Sequence, residues 1–220
     1  MANRSLKASL WIFPNDSNQK TISLEEQSQA SLLPNKKSLQ YRISRGNIRY
    51  VISNLFRIDP LKVPLHSLPG EAPLLGNDFG YISISHSSDC LLIGWSESKI
   101  GVDIEKISKN PINKEIADRF FNEKDKLRIK NKTEHSLKKE ILKLWVIKES
   151  LIKWQRGDLF NGLKDWYIDE KLKIAFLKGG KFKVNIKNLR FKYWEIGIAS
   201  SNKLKKRDIS INFQKNFLKT

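Results

Sequence analysis

Leu144-Trp145-Val146-Ile147-Lys148-Glu149-Ser150-Leu151-Ile152-Lys153 lies at the centre of a repeating pattern, in which Leu137, Ile141, Leu144, Ile147, Leu151 and Trp154 recur at steps of three and four. That spacing predicts an amphipathic helix with one buried stripe. Trp145, Glu149 and Ile152 fall on an adjoining face, which sets the Glu149 carboxylate at the edge of the core. Burying a carboxylate there is costly unless a cation accompanies it. Lys148 and Lys153 are the candidate partners, although Glu149 and Lys153 also have the spacing of an ordinary exposed i,i+4 pair.

Some forty residues upstream, Cys90–Trp95 and Ile100–Glu105 read as strands. Alternation along the second puts Asp103 and Glu105 on one side, with Val102 and Ile104 facing the core. Two carboxylates on one face repel each other unless something positive lies between them. A hard divalent cation such as Mg²⁺ takes oxygen ligands of this kind, completed by water or a substrate's phosphate oxygens. A bare Asp-x-Glu is also the pattern of a solvated strand end.

Four motifs in order carry a family resemblance. Gly101-Val-Asp103-Ile-Glu105 followed by Trp145-x-x-Lys148-Glu149-Ser150-x-x-Lys153 is similar to the signature pair of the 4′-phosphopantetheinyl transferases of the Sfp (surfactin-synthetase-activating) type. Ile84-Ser85-His86-Ser87 resembles that family's Ser-His motif, and Arg119-Phe120-Phe121-Asn122 resembles the segment between the two signatures. The likeness spans residues 34 to 157. It implies an α+β fold of two similar halves with the active site between them, here 1–105 and 106–220.

The resemblance also implies a reaction. It is the Mg²⁺-dependent transfer of 4′-phosphopantetheine from coenzyme A to a serine of an apo acyl carrier protein, releasing adenosine 3′,5′-bisphosphate. Asp103, Glu105 and Glu149 would hold the metal. Glu149 is the candidate base, while Lys148 and Lys153 balance phosphate charge and one of them assists the leaving group. Ser85 and His86 would meet the nucleotide end of coenzyme A, with Arg45 of the helix predicted over 38–56, and Lys36 and Lys37 just before it, as phosphate contacts. In Gly70-Glu71-Ala72-Pro73 a glutamate stands where the family usually has lysine, so that coenzyme contact is absent. The carrier is expected to serve fatty-acid synthesis, with polyketide and peptide carriers as further substrates.

Composition narrows the partners. Forty-one Lys and Arg against 23 Asp and Glu leave a net charge of +18, which favours an anionic partner and fits an acidic carrier protein. A lysine-biased genome would give the same number. The charge and scattered aromatics also fit a basic nucleic-acid-binding protein, but no recognition motif of the helix-turn-helix, zinc-finger or RNP type is present. A catalytically inactive relative that binds coenzyme A or a carrier is the other alternative, against which the intact acidic trio weighs. Cys90 is the only cysteine, so an intramolecular disulfide is excluded and the thiol reads as a small buried hydrophobe. Leu10–Phe13 is too short for a signal peptide's apolar run and no stretch reaches membrane-spanning length, so a cytoplasmic protein is expected, and the resemblance implies a monomer.

The remaining pattern is coarse. Residues 6–13 predict a first strand and 23–33 a helix opened by Glu25 and Glu26. Arg42, Arg45 and Arg49 share one side of the next helix and read as a solvated basic face unless they hold phosphate. Glu123–Glu140 reads as either a solvated charged loop or part of a carrier-docking surface. Gly157 and Gly162 are expected to end the signature helix. Strands are predicted near 166–169, 173–177, 182–186 and 194–199 with a Gly179-Gly180 hairpin, and Ile209, Ile211, Phe213 and Phe217 mark a possible edge strand.

Overall fold

The computed structural model describes residues 8–107, 114–157, 162–180 and 182–213. Residues 6 and 7 of the expected first strand, and Phe217, lie outside them. The elements run β1 (Ala8–Pro14), α1 (Leu24–Ser31), α2 (Asn35–Phe56), β2 (Leu65–His66), β3 (Leu74–Leu75), β4 (Tyr81–His86), β5 (Cys90–Ser96) and β6 (Ile100–Lys106). They continue with α3 (Lys114–Phe120), α4 (Glu123–Ile129), α5 (Glu134–Gln155), β7 (Trp166–Ile168), β8 (Ile174–Leu177), β9 (Lys183–Phe191), β10 (Trp194–Ser200) and β11 (Ile209–Phe213). The architecture is α+β.

Alternation along the strands builds the layers. Ala8, Leu10 and Ile12 of β1, with Leu92 of β5, face Val102, Ile104, Ile196 and Ile198 of the second sheet in one central core. The opposite faces take the helices. Phe13, Leu91 and Ile93 pack on Ile43, Ile48 and Ile52 of α2. Beyond the second sheet, Ile141, Leu144, Ile147 and Leu151 of α5 meet Val184, Ile186 and Ala199. The stripe expected on α5 is thus the buried one, with Trp154 at 7% exposure closing its end.

The sheet order runs across the expected division at Glu105. The four-stranded sheet is β11-β1-β5-β4 and the five-stranded one β6-β10-β9-β8-β7. Strand β6, assigned to the first half, therefore belongs to the second sheet, and β11, assigned to the second half, pairs in parallel with β1. The two sheets meet at β4 and β6, where Ser83 Oγ accepts from the Val102 amide (3.0 Å) and Ser85 Oγ from the Ile104 amide (3.4 Å).

Local differences have local causes. Residues 123–140 are not a loop: Asn122 caps α4 in a reciprocal box with Asp125, and α5 begins at Glu134. Helix α5 ends at Gln155 rather than at a glycine, with Arg156 in the left-handed region (φ 60°) and its amide bonded to Ile152 O and Lys153 O. Gly179 and Gly180 adopt positive φ between β8 and β9, as the hairpin requires. Among the described residues no helix is long and apolar enough to cross a membrane.

Candidate active site

Two glycines bring the site together. A Cβ on Gly101 of β6 would overlap the carbonyl oxygen of Ser150 and the backbone nitrogen of Trp154, and one on Gly197 of β10 would overlap the carbonyl of Val146. Helix α5 therefore rests backbone to backbone on the sheet, a contact only glycine allows. Gly101, Asp103 and Glu105 share the face turned to α5, so this close approach sets Asp103 beside the Glu149–Lys153 turn. Gly197, directly opposite Asp103 on β10, was not singled out from the sequence.

Lys153 sits among the carboxylates. Its Nζ donates to Asp103 Oδ1 (2.6 Å) and to Ser85 Oγ (2.8 Å), and lies 3.9 Å from Glu149 Oε2. Ser85 in turn donates its hydroxyl proton to Asp103 Oδ1 at 2.6 Å. Asp103 is 1% exposed, yet its Oδ2 has no hydrogen-bond partner. Crowding of negative charge in a dry place favours the neutral acids. Burial, then Asp103, pushes the Glu105 carboxyl up to about 7, and the same two causes raise Glu149. Lys153 opposes both shifts.

The donor chemistry suits a hard divalent cation, because three carboxylates are electrostatically linked and one buried oxygen lacks a partner. As the side chains stand, no three His, Cys, Asp or Glu among the described residues converge tightly enough to hold an ion. The Lys153 ammonium supplies the countercharge there instead. Glu195, opposite Glu105 on β10 and 4% exposed, is a further acid that the sequence reading missed. Arg190 pairs with it at 3.2 Å.

A second group is cationic. Arg45 is 3% exposed, stacks 4.5 Å from the Tyr41 ring and donates Nη2 to Ser67 Oγ at 2.5 Å, while its Nε and Nη1 are buried without partners. His86 Nε2 is likewise buried and unpartnered. Burial, then the charges of Lys153 and Arg45, lowers the His86 pKa to about 4. A buried guanidinium with open donors, beside an imidazole nitrogen without a partner, suits an anion. Ser67 links Arg45 to the loop carrying Glu71, which, with Pro73, Ser83, Lys153 and Arg156, lines a groove of about 350 Å³.

Other expected contacts do not converge here. Lys148 corrects the reading most sharply: it is fully buried, pairs with Asp125 at 2.8 Å and donates to Leu163 O (2.7 Å) and Trp166 O (2.8 Å). With its three N–H donors used in the core, it cannot meet a phosphate. Lys36 and Lys37 are exposed on the first turn of α2. Arg49 is no solvated residue either, since it pairs with Glu26 at 2.7 Å and donates to Pro60 O and Val63 O.

A layered α+β protein with an acidic trio, a lysine between the acids and a buried guanidinium with open donors nearby has the charge pattern that suits an anion and its counter-ion. The 4′-phosphopantetheinyl transferase superfamily matches residues 99–211, just over half the chain, and the chain belongs to that family. It is 32% identical over 90 residues to 4′-phosphopantetheinyl transferase gsp of Aneurinibacillus migulanus, covering 41% of this chain and 37% of that protein. Against 4′-phosphopantetheinyl transferase Sfp of Bacillus subtilis (strain 168) the identity is 30% over 107 residues, 48% of this chain and 47% of that one. The chain thus spans less than half the length of either curated relative in these matches.

Proposed function

We propose that the protein transfers 4′-phosphopantetheine from coenzyme A to a serine hydroxyl of an apo acyl carrier protein in the cytoplasm. The observation that carries this reading is the convergence of Asp103, Glu149 and Lys153 near the unpartnered donors of Arg45 and the unpartnered Nε2 of His86. Asp103, Glu105 and Glu149 would hold Mg²⁺, whose charge when bound offsets that gathering on the phosphoryl oxygens.

The chain's own groups do the remaining work. Arg45 and His86 bind and orient the coenzyme's phosphates through the donors that lack partners. Lys153, a quarter exposed and on the wall of the groove, offers its ammonium to the pyrophosphate oxygen that leaves. Glu149, pushed up to about 8 by burial and then by Asp103, takes the proton from the carrier serine in its ionised form, which a bound Mg²⁺ would favour. The serine oxygen forms a bond to the phosphopantetheine phosphorus as that phosphorus releases the bridging oxygen, and adenosine 3′,5′-bisphosphate departs with the pair of electrons. The net positive surface speeds encounter with an acidic carrier, of which the fatty-acid type is the first expected.

Intact-mass spectrometry of apo carrier proteins incubated with the protein, coenzyme A and Mg²⁺ tests the reading. A gain of one phosphopantetheine, lost with Glu149→Gln and without metal, supports it. No gain on folded fatty-acid, polyketide and peptide carriers refutes it.

A further inference from the structure

A second basic feature lies away from the carboxylates. Lys143, Lys171, Lys173, Lys187, Lys203, Lys205 and Lys206 line a groove of about 590 Å³, with Asn185 and Asn188 among them and no acidic residue in the lining. Of the seven ammonium groups, only that of Lys143 has a carboxylate within 4 Å among the described residues, Glu140 at 3.3 Å, while Asp169 and Asp208 accept from the Lys173 and Lys205 backbone amides (2.6 and 2.8 Å). Compositional bias does not explain the arrangement. Lys and Arg make up 41 of the 220 residues, but lysine alone makes up seven of the thirteen that line this groove. Lys143 stands ten residues before Lys153 on α5, about 15 Å along the helix axis, so the groove is separate from the acidic trio.

An open strand edge starts in it, at Lys187 and Asn188, and continues beyond it to Phe191. Strand β9 pairs with β10 along Asn185–Phe191, but β8 covers only Lys183–Asn185 on the other side. There the Ile186 amide still donates to Lys173 O at 2.9 Å, and beyond it the described residues provide no backbone partner for Lys187–Phe191 on that side. An edge of this kind recognises main chain. The surrounding ammonium groups favour carboxylates, and Leu172, Ile174, Ile186 and Leu204 offer apolar floor to alternate side chains. Nothing in the lining suits nucleic acid beyond charge, since it contains neither an arginine fork for phosphate nor an aromatic face for bases.

We propose that this groove docks an extended acidic polypeptide segment of a partner protein, which adds to the edge of β9 as a strand. The proposal is independent of the transfer reaction, because it concerns a surface that the acidic trio does not touch. Lysines on an edge also guard against self-association, and the experiment separates the two roles.

Fluorescence anisotropy with a labelled decapeptide of alternating Glu and Val, on the full-length protein, gives the test. The peptide is expected to bind, and to bind at least tenfold more weakly to K171E/K187E/K205E. The charge-matched K62E/K164E/K178E, on exposed lysines outside the groove, should stay within threefold of the unmodified protein. N-methylation of alternate peptide amides should weaken binding at least tenfold in one of its two phases, because only one set of amides faces β9. Melting curves check that the variants fold, and K171Q/K187Q/K205Q replaces the first variant if it does not. Absence of peptide binding, equal loss in both triple variants, indifference to methylation in both phases, or tighter binding of a 20-base-pair DNA duplex at the same salt would each overturn the proposal.

Discussion

Lys148 and Lys153 stand five residues apart on one helix and differ in every other respect. Lys148 is closed: its ammonium is fully buried and held by Asp125 and two carbonyls. Lys153 is open: it is a quarter exposed, bonded to one oxygen of Asp103 while the other stays unpartnered, and set on the wall of a groove. Five residues turn a helix by about 140°, so the two ammonium groups cannot share a site. A satisfied polar network fixes structure, whereas an unsatisfied one near a groove leaves capacity for a ligand.

The largest effect should come from the open side. Glu149→Gln is expected to lower the transfer rate about 10²–10⁴-fold, with little change in melting, since a repelling carboxylate is removed. Rates from intact-mass time courses decide it, and a loss below tenfold would detach the open cluster from the chemistry. Lys148→Met should do the reverse, destabilising the fold by about 3–5 kcal/mol because Asp125 is left buried without its cation. Denaturant melts measure this, and adding Asp125→Leu should recover much of the loss.

His86 sharpens the comparison through pH. Its folded pKa, about 4, lies below the unfolded value of about 6.5, so the unfolded chain binds more protons between them. Stability is therefore full above pH 6.5 and falls as pH drops toward 4, by on the order of 2–3 kcal/mol from this group. A His86→Gln variant should lose that part of the pH dependence in melts across the window. Arg45→Lys should have the smallest effect, weakening coenzyme A about tenfold in calorimetric titration through loss of the planar donor set.

Much of this was legible in the chain because it is local. The three- and four-residue steps of Ile141, Leu144, Ile147 and Leu151 gave the buried stripe of α5, and alternation along Ile100–Glu105 gave the shared face of Asp103 and Glu105. Lys148 was legible too and was misread. It lies seven residues after Ile141, four after Leu144 and three before Leu151, on the stripe itself, whereas Lys153 shares a face with Glu149. Sheet membership was not legible, since strand pairing between residues 200 apart leaves no local trace. Nor was the role of Gly197, whose meaning depends on which helix backbone passes over it.

Strand β1 has a consequence for synthesis. Its two neighbours are β5 and β11, so its register with Cys90–Ser96 can be set early, but its other flank waits for Ile209–Phe213. During translation β1 carries an exposed edge until nearly two hundred further residues have followed, and such an edge invites pairing with other chains. In the cell this protein should therefore depend on chaperone shielding until β11 has emerged, at a point when α2 and much of the first sheet are already able to form.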